Sequence, residues 1–501
     1  MDKSLFERAT GALGPNVFAK LETTKLVRSF RPAPHFRFDG GHKGSATTDS
    51  TARGISRSAP ANHEQGQDLW AHQAGVNALA LERFDGRILI SGGSDATIKL
   101  WDLEQCGNPH NAHTYKPIAT IHRSDSTAKA HKFGITHLSI FPSDPGAFLS
   151  SSYDQTLKIW DTSTVLMSGT WDMGSKIYTH AISPIAQHLL VACGTAHPAV
   201  RLVDLRSNAA VQTLVPPGQI SGGGAVLSLA WSPRHEHVLA SGTLDGAVRI
   251  WDVRRASALL GLLDQEDSLG IFSRGGGGRP HSHSPWDRGV RVSAKAHAGP
   301  VNGLTWTDDG AYIVSAGHDR RIRVWDAATS ANTLASFGPS IRNGQLASVP
   351  MFVTPVGLTP AKKELLFWPN ETEILVMDLH EGTIVTRLRA PGSQIAGVRT
   401  TGRAGERSVR NRITGLVWRG AGACEGSGSS GIVAGGTNAA GGVYSGRTDG
   451  QIHAWMPRLP GHDGEDAMDD VSEESRQGQA SKRKALDGAF KSLMGTQVTW
   501  T

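Results

Sequence analysis

Ser91, Asp95 and His72 are the residue types of a hydrolytic triad: a serine hydroxyl, a base that takes its proton, and a carboxylate that orients the base. The chemistry would be acyl transfer. The spacing argues against it. A serine ten residues and an aspartate six residues before a tryptophan recur as Ser91/Asp95/Trp101, Ser150/Asp154/Trp160, Ser241/Asp245/Trp251, Ser315/Asp319/Trp325 and Ser445/Asp449/Trp455. His72, His131 and His297 stand just upstream of three of these sets. An active site occurs once, whereas a scaffold occurs as often as its repeat. These groups are therefore expected to form a hydrogen-bonded chain inside each unit, because burying them unpaired costs about 1–3 kcal/mol each. No unique constellation of nucleophile, base and oxyanion donors appears, so no enzyme is expected.

The elements that carry these residues are short hairpins. The stretch from Val238 to Arg255 reads VLASGTLDGAVRIWDVRR, two apolar strands around a Leu-Asp-Gly turn. The second strand alternates Val248, Arg249, Ile250, which buries one face and wets the other. Degenerate copies at 193–205 (CGTAHPAVRLVDL) and 366–379 (LFWPNETEILVMDL) bring the units to seven. Upstream strands of one texture (VNALAL, ITHLSI, VLSLAW, VNGLTW) precede four of them. A four-stranded unit has two apolar faces, and a ring of units buries both. The pattern predicts an all-β, seven-bladed β-propeller over 65–457, with units near 72–104, 131–163, 176–208, 224–258, 297–330, 352–390 and 410–457. It resembles the WD40 family over about 70–457.

The chain has 501 residues, more than such a ring needs, and 59 glycines suit many turns and disordered loops. Cys106, Cys193 and Cys424 are scattered with no CxxC pair, which argues against disulfides and zinc and favours a reducing compartment. No apolar run approaches the roughly 18 residues of a membrane helix, and no signal core opens the chain. A soluble, intracellular protein is expected, with no cofactor, metal or membrane partner. The net charge of +6 does not by itself call for nucleic acid.

Residues 1–64 precede the predicted ring and are mostly basic where charged. Ser4 to Arg8 reads as a short helix with Ser4 as cap and Glu7 three residues on, broken at Gly14-Pro15. Val17 to Leu21 and Leu26-Val27 read as a second amphipathic piece. Leu5, Phe6, Val17, Phe18 and Leu21 on one side would make a docking element, with Arg8 beside them. Residues 39–62 are rich in Gly, Ser and Thr. The seventh unit ends at Trp455 with no fourth strand after it, and Asp68–Ala71 is expected to supply that strand and close the ring. A polar loop (105–130) joins units one and two. Inserts are expected near 263–292, 391–411 and 420–442, the first with a GGGG run and an HSHS tract. Arg387 to Arg412 holds seven arginines against Glu406 and is the best nucleic-acid candidate, though it lacks aromatics for stacking and also reads as a solvated loop. The tail, 458–501, carries an acidic run at Asp463–Glu474 and a basic cluster, Lys482-Arg483-Lys484, compatible with a nuclear address.

Function should lie in what does not repeat. Two residues past the Asp of the Trp-Asp position, unit one has Glu104, unit two Ser163 and unit five Ala328, whereas units three and four have Arg206 and Arg254. Both follow third strands of adjacent blades, so both should emerge on the rim opposite the turn aspartates. Two forked donors there can hold carboxylates or carbonyls, or they are ordinary surface arginines. On the other rim, Ser94, Tyr153, Leu244, His318 and Thr448 precede the turn aspartates and are candidate partner contacts.

VLASGTLDGAVRIWDVR is similar to the box typical of substrate receptors of cullin-4 ubiquitin ligases. The resemblance implies that Arg206, Arg254 and the 4–21 segment face the damaged-DNA-binding adaptor subunit. ISGGSDATIKLWDLE, FLSSSYDQTLKIWDT, YTHAISP, AWSPRHEHVLAS, WDVRRAS, VNGLTWTDDG and ANTLASFG further resemble the Cockayne syndrome group A branch of that family. That likeness implies a nuclear receptor in transcription-coupled nucleotide excision repair. It would bring the adaptor, cullin-4 and a RING subunit to stalled RNA polymerase II, alongside the Cockayne syndrome B-type ATPase and the UV-sensitivity scaffold protein. The N-terminal, GGGG/HSHS, arginine-rich and unit-seven inserts depart from the family pattern.

Overall fold

Each turn aspartate sets the geometry of the hairpin around it. Its carboxylate accepts the amide two residues on, as Thr97 N–H to Asp95 (3.0 Å), Thr156 to Asp154 (3.0 Å), Ala247 to Asp245 (3.0 Å), Arg321 to Asp319 (3.2 Å) and Gln451 to Asp449 (2.9 Å). The residue between has positive φ: Ala96, Gln155, Gly246, Arg320 and Gly450. At Gly246 and Gly450 the glycine is also required sterically. A Cβ would lie 2.2 Å from the carbonyl oxygen of His297 and 2.4 Å from that of His72, where the next blade's entry loop docks.

In a computed structural model of the chain, the described residues are 3–12, 14, 27–41, 69–82, 86–106, 112–123, 130–185, 188–207, 209–215, 224–255, 258–265, 271–272, 294–354, 359, 363–390, 398–400, 407–409, 411–419 and 442–457. They form a seven-bladed β-propeller of antiparallel sheets. Blade 1 is Val76–Leu81, Ile88–Gly93, Ile98–Asp102 and Pro117–Ile121. Blade 2 is Ile135–Ile140, Ala147–Ser152, Thr156–Asp161 and Met167–Asp172. Blade 3 is Ile177–Ile182, Leu190–Thr195, Val200–Asp204 and Ala209–Leu214. Blade 4 is Val226–Trp231, Val238–Thr243, Val248–Asp252 and Leu259–Leu262, with Ile271–Phe272 added outside. Blade 5 has Val301–Trp306, Tyr312–Gly317 and Ile322–Asp326, and only a bridge, Trp325 to Asn332, in its fourth position. Blade 6 is Phe352–Val353, Leu365–Asn370, Glu373–Asp378 and Ile384–Arg389. Blade 7 takes Ile413–Arg419, Gly442–Arg447 and Ile452–Pro457 from one end of the ring sequence.

Its fourth strand corrects the sequence reading. Phe30–Pro32 pairs antiparallel with Ile452–Pro457, Phe30 opposite Pro457 and Pro32 opposite Trp455. Of the predicted Asp68–Ala71 strand, the described residues 69–71 do not fill this position, and Ala71 N–H instead donates to the Gly450 carbonyl at the blade 7 turn. The two ends of the ring sequence do join, through Phe30–Pro32. Residues 27–38 thus belong to the ring and not to a segment ahead of it. Phe36–Phe38 runs parallel to His113–Tyr115, inside the stretch read as a polar loop, which also contains blade 1's outer strand, Pro117–Ile121. In the insert read at 391–411, Val398–Thr400 and Arg407–Val409 pair as a short hairpin.

The core lies between blades. Successive seams hold separate apolar clusters, for example Leu202, Val226 and Trp251 between blades 3 and 4, and Ala240, Val301 and Trp325 between blades 4 and 5. The N-terminal segment fills two seams. Val27 and Phe30 pack with Phe367 and Trp455 between blades 6 and 7, and Phe36 and Phe38 pack with Trp101 and Tyr444 between blades 7 and 1. Lys99, buried, clasps the segment by donating to the carbonyls of Gly40 (2.9 Å) and Ala71 (2.7 Å), and burial pulls its ammonium down to about 8.

Ahead of the ring, Lys3–Ala9 is helical, so Ser4 sits inside the helix and not at its cap. Val27, read as part of an amphipathic docking piece, is fully buried in the ring. Val17, Phe18, Leu21, the HSHS tract and the tail 458–501 lie outside the described residues.

Candidate functional site

The recurring polar sets are buried and complete. In blade 1 the Trp101 indole N–H donates to Ser91 Oγ (2.8 Å), Ser91 meets His72 Nε2 (2.8 Å), and His72 Nδ1 faces Asp95 (3.3 Å) and Thr97 (2.8 Å). Blade 2 repeats this with Trp160 to Ser150 (2.7 Å), Ser150 to His131 (2.7 Å) and His131 to Asp154 (2.9 Å). In blade 5, Trp325, Ser315, His297 and Asp319 do the same, and Arg323 reaches both His297 Nδ1 (2.6 Å) and Asp319 (2.8 Å).

The Ser-His-Asp order is that of a hydrolase, but the chemistry is not. Ser91, Ser150 and Ser315 are fully buried, and each Oγ is already occupied by an indole donor. Burial holds His72, His131 and His297 below their ordinary pKa, against the pull of their aspartates. Burial alone would raise Asp95, Asp154 and Asp319; the histidine and neighbouring hydrogen bonds outweigh it and hold them below the usual carboxylate range. Neutral imidazoles between a hydroxyl and a carboxylate are structural ties. Ser150→Ala is expected to destabilise the fold by about 1–3 kcal/mol in urea titration, because it strands the Trp160 N–H and His131 Nε2.

Blades without the histidine substitute other donors. In blade 4, Arg249 donates to Asp245 (2.7 Å) and Thr243 (2.7 Å), while Trp251 keeps its bond to Ser241 (2.8 Å). In blade 7, Asn411 holds Asp449 (2.7 Å), and Trp455 bonds Ser445 (3.1 Å). The sequence reading put Arg249 on a wet face, but its strand is buried on both faces, and the cost of burying Arg249 with it is offset by the Asp245 and Thr243 bonds; Asn411 was missed altogether. A basic residue two places before the tryptophan (Lys99, Lys158, Arg249, Arg323) was the available signal.

Because third strands run from the aspartate turns to the opposite edge, the ring has an aspartate rim and an arginine rim. Arg206 and Arg254 lie in equivalent turns of adjacent blades on the second, and both are exposed. Arg254, with 62% of its side chain exposed, folds back on Asp252 through Nε (3.0 Å) and Nη2 (3.0 Å). Asp252 also takes Arg255 Nε (3.3 Å). Between these turns, His188 stacks on His237 at 5.4 Å and reaches the Glu236 carbonyl (2.9 Å). The helix at Lys3–Ala9 exposes 59% of Phe6, and Arg8 is exposed beside it; the Leu5 side chain lies outside the described residues.

On the aspartate rim, Ser94, Tyr153 and Leu244 are exposed. Ser94 Oγ donates to Asn77 (2.7 Å), and Tyr153 meets Tyr178 edge-on at 6.3 Å. Exposed Phe133 lies beside Tyr153, whose amide bonds the Gly134 carbonyl (3.3 Å). His318 and Thr448 are half-buried and engaged, His318 Nε2 with the Gln345 carbonyl and Thr448 Oγ1 with the Arg412 amide (3.0 Å). Of the arginine-rich stretch, Arg387 and Arg389 pair with Glu373 at 3.3 and 2.7 Å.

Comparison with known proteins agrees with this geometry. The model for the WD domain, G-beta repeat, matches residues 64–102, 123–161, 213–252 and 290–326. The chain is 32% identical over 317 residues to WD repeat-containing protein ATCSA-1 of Arabidopsis thaliana, covering 53% of this chain and 69% of that one. It is 28% identical to Radiation-sensitive protein 28 of Saccharomyces cerevisiae, over 41% of each chain. It is also 29% identical to the ribosome biogenesis protein YTM1 of Phaeosphaeria nodorum, over 51% of this chain and 55% of that one. Repeat geometry, buried ties and relatives place the chain in the WD40-repeat family, whose propeller is typically a non-catalytic scaffold.

Proposed function

We propose that this propeller is the substrate receptor of a cullin-4 RING ubiquitin ligase in transcription-coupled nucleotide excision repair, working in the nucleus. The observation that carries the reading is the pair Arg206 and Arg254, exposed at matching turns of neighbouring blades on one rim. Asp252 holds the Arg254 fork in a fixed orientation, which reduces the entropy lost when a partner carboxylate or carbonyl joins it. That rim and the N-terminal helix would face the damaged-DNA-binding adaptor, which links to cullin-4 and its RING subunit. The aspartate rim, with Tyr153 and Leu244, would meet the Cockayne syndrome B-type ATPase, the UV-sensitivity scaffold protein and RNA polymerase II. The propeller itself does no bond chemistry; it lowers the entropic cost of bringing a target lysine to the charged ubiquitin carrier. Relatives named ATCSA-1 and Radiation-sensitive protein 28 support the repair side of this reading.

Arg206→Ala with Arg254→Ala and removal of residues 1–21 is expected to abolish co-elution with purified adaptor at an unchanged Tm. The deletion stops short of Val27, so the ring stays closed. Undiminished co-elution removes the ligase reading. The match to ribosome biogenesis proteins favours a second reading, an interaction scaffold with no ligase link, and that outcome would select it.

A further inference from the structure

Blade 6 differs from its neighbours on the aspartate rim. Its turn carries no aspartate tie; Glu371 occupies the positive-φ position instead. Around that turn lies a polar cleft of about 360 Å³, lined by Pro339, Ser340, Arg342, Asn370, Thr372, Glu373, Arg387 and Arg389. Three guanidiniums converge on it from two elements. Arg389 sits directly across the ladder from Glu373, and Arg387 is two residues back on the same strand. Arg342 comes from the loop between blades 5 and 6, held there by its amide donating to Asn370 Oδ1 (2.6 Å).

One carboxylate, Glu373, lines the cleft, and a second, Glu371, stands at its turn. Glu373, with 14% of its side chain exposed, accepts Arg389 Nε (2.7 Å) and Arg387 Nη1 (3.3 Å). Glu371 accepts Arg342 Nη1 at 3.5 Å. Each contact uses one nitrogen of a fork, and the side chains stay exposed, 69% for Arg342, 66% for Arg389 and 40% for Arg387. The result is three partly exposed guanidiniums around one cleft, each with donors left over, an arrangement suited to a doubly charged, multi-acceptor anion.

We propose that the blade 6 cleft binds a phosphorylated segment of a protein partner, with the phosphate among Arg342, Arg387 and Arg389. A phosphate offers the acceptor count that three forks can fill. Nucleic acid is the poorer occupant. Glu373 in the cleft and Glu371 at its turn oppose a run of successive phosphates, and among the described residues no aromatic side chain lines it for base stacking. This inference is independent of what the arginine rim holds.

The test uses the full chain in fluorescence anisotropy, with a degenerate phosphoserine peptide pool, the same pool unphosphorylated, and a single-stranded oligonucleotide. Selectivity of at least tenfold for the phosphorylated pool is expected. It should fall to parity in Arg342→Gln, an exposed site whose change spares the ladder, and in Arg387→Gln/Arg389→Gln, and persist in Arg254→Ala on the other rim. Free inorganic phosphate at millimolar concentration should compete. Equal binding of both pools, or selectivity untouched by all of these substitutions, overturns the proposal. Tighter, arginine-dependent binding of the oligonucleotide overturns it in favour of a nucleic-acid surface. Matching thermal melts of every variant keep loss of fold from passing as loss of binding.

Discussion

Phe30→Asp is expected to abolish the single cooperative unfolding transition, whereas removal of residues 1–21 leaves the Tm within a few degrees of the parent. Phe30 is fully buried and meets Trp418 edge-on at 5.5 Å. Its strand is the outer partner of Ile452–Pro457, so losing it exposes a bare sheet edge and unpacks two seams together. Truncation of such a side chain to alanine costs about 3–5 kcal/mol, already a large part of the about 5–15 kcal/mol that holds a typical domain. A buried, unpaired carboxylate costs more. Phe30→Ala should therefore melt early and Phe30→Asp should elute from size exclusion as aggregate. A Phe30→Asp protein with parental melting and elution would show that the ring does not depend on this closure.

Stability is also expected to fall steeply as pH drops from 6.5 to 4. Burial pushes His137 down to about 4 and His453 to about 3, and holds His72, His131, His180 and His297 below the ordinary value. The unfolded chain protonates histidine near 6.5, so below that pH it binds more protons than the folded chain. The stability these residues contribute is present above about 6.5 and is lost as pH falls toward their folded values. For His137 alone the loss at pH 5 is on the order of 2 kcal/mol. Asp95, Asp154 and Asp319 act in the same direction lower down: their folded values are depressed, so their contribution exists above the usual carboxylate range and disappears beneath it. Urea midpoints measured every half pH unit check the slope, and His137→Gln should remove its share. A midpoint constant between pH 7 and 4.5 contradicts the account.

The repeated parts of this molecule were legible because their causes are local. Ser, Asp and Trp at fixed offsets dictate a turn, a tie and a strand, and the His-bearing ties of blades 1, 2 and 5 follow from spacing alone. Blades 3 and 6 were readable without the full signature because a pair of short apolar strands around a turn survived at the repeat's spacing. The closing strand was not. Phe30–Pro32 is only three residues long, and its partner is at the far end of the ring sequence, so no window contains both. The spacing of Phe30, Phe36 and Phe38 carried an apolar signal, but it was absorbed into a basic, loop-like stretch. The blade 6 cleft was invisible for the same reason: Arg342, Glu373 and Arg389 meet only once two strands and a loop are assembled. Arg387 and Arg389, singled out as charge, turn out to be paired with Glu373, a fact composition cannot supply.

The pairing of Phe30–Pro32 with Ile452–Pro457 has a consequence for biogenesis. On the ribosome the N-terminal strand emerges first and has no partner until blade 7 follows it out. Throughout translation the nascent chain carries Val27, Phe30, Phe36 and Phe38 with no seam to enter. Long-range closure of this kind is slow and leaves sticky intermediates, so production of the folded propeller should depend on a chaperone that shelters the open ring until its last blade arrives.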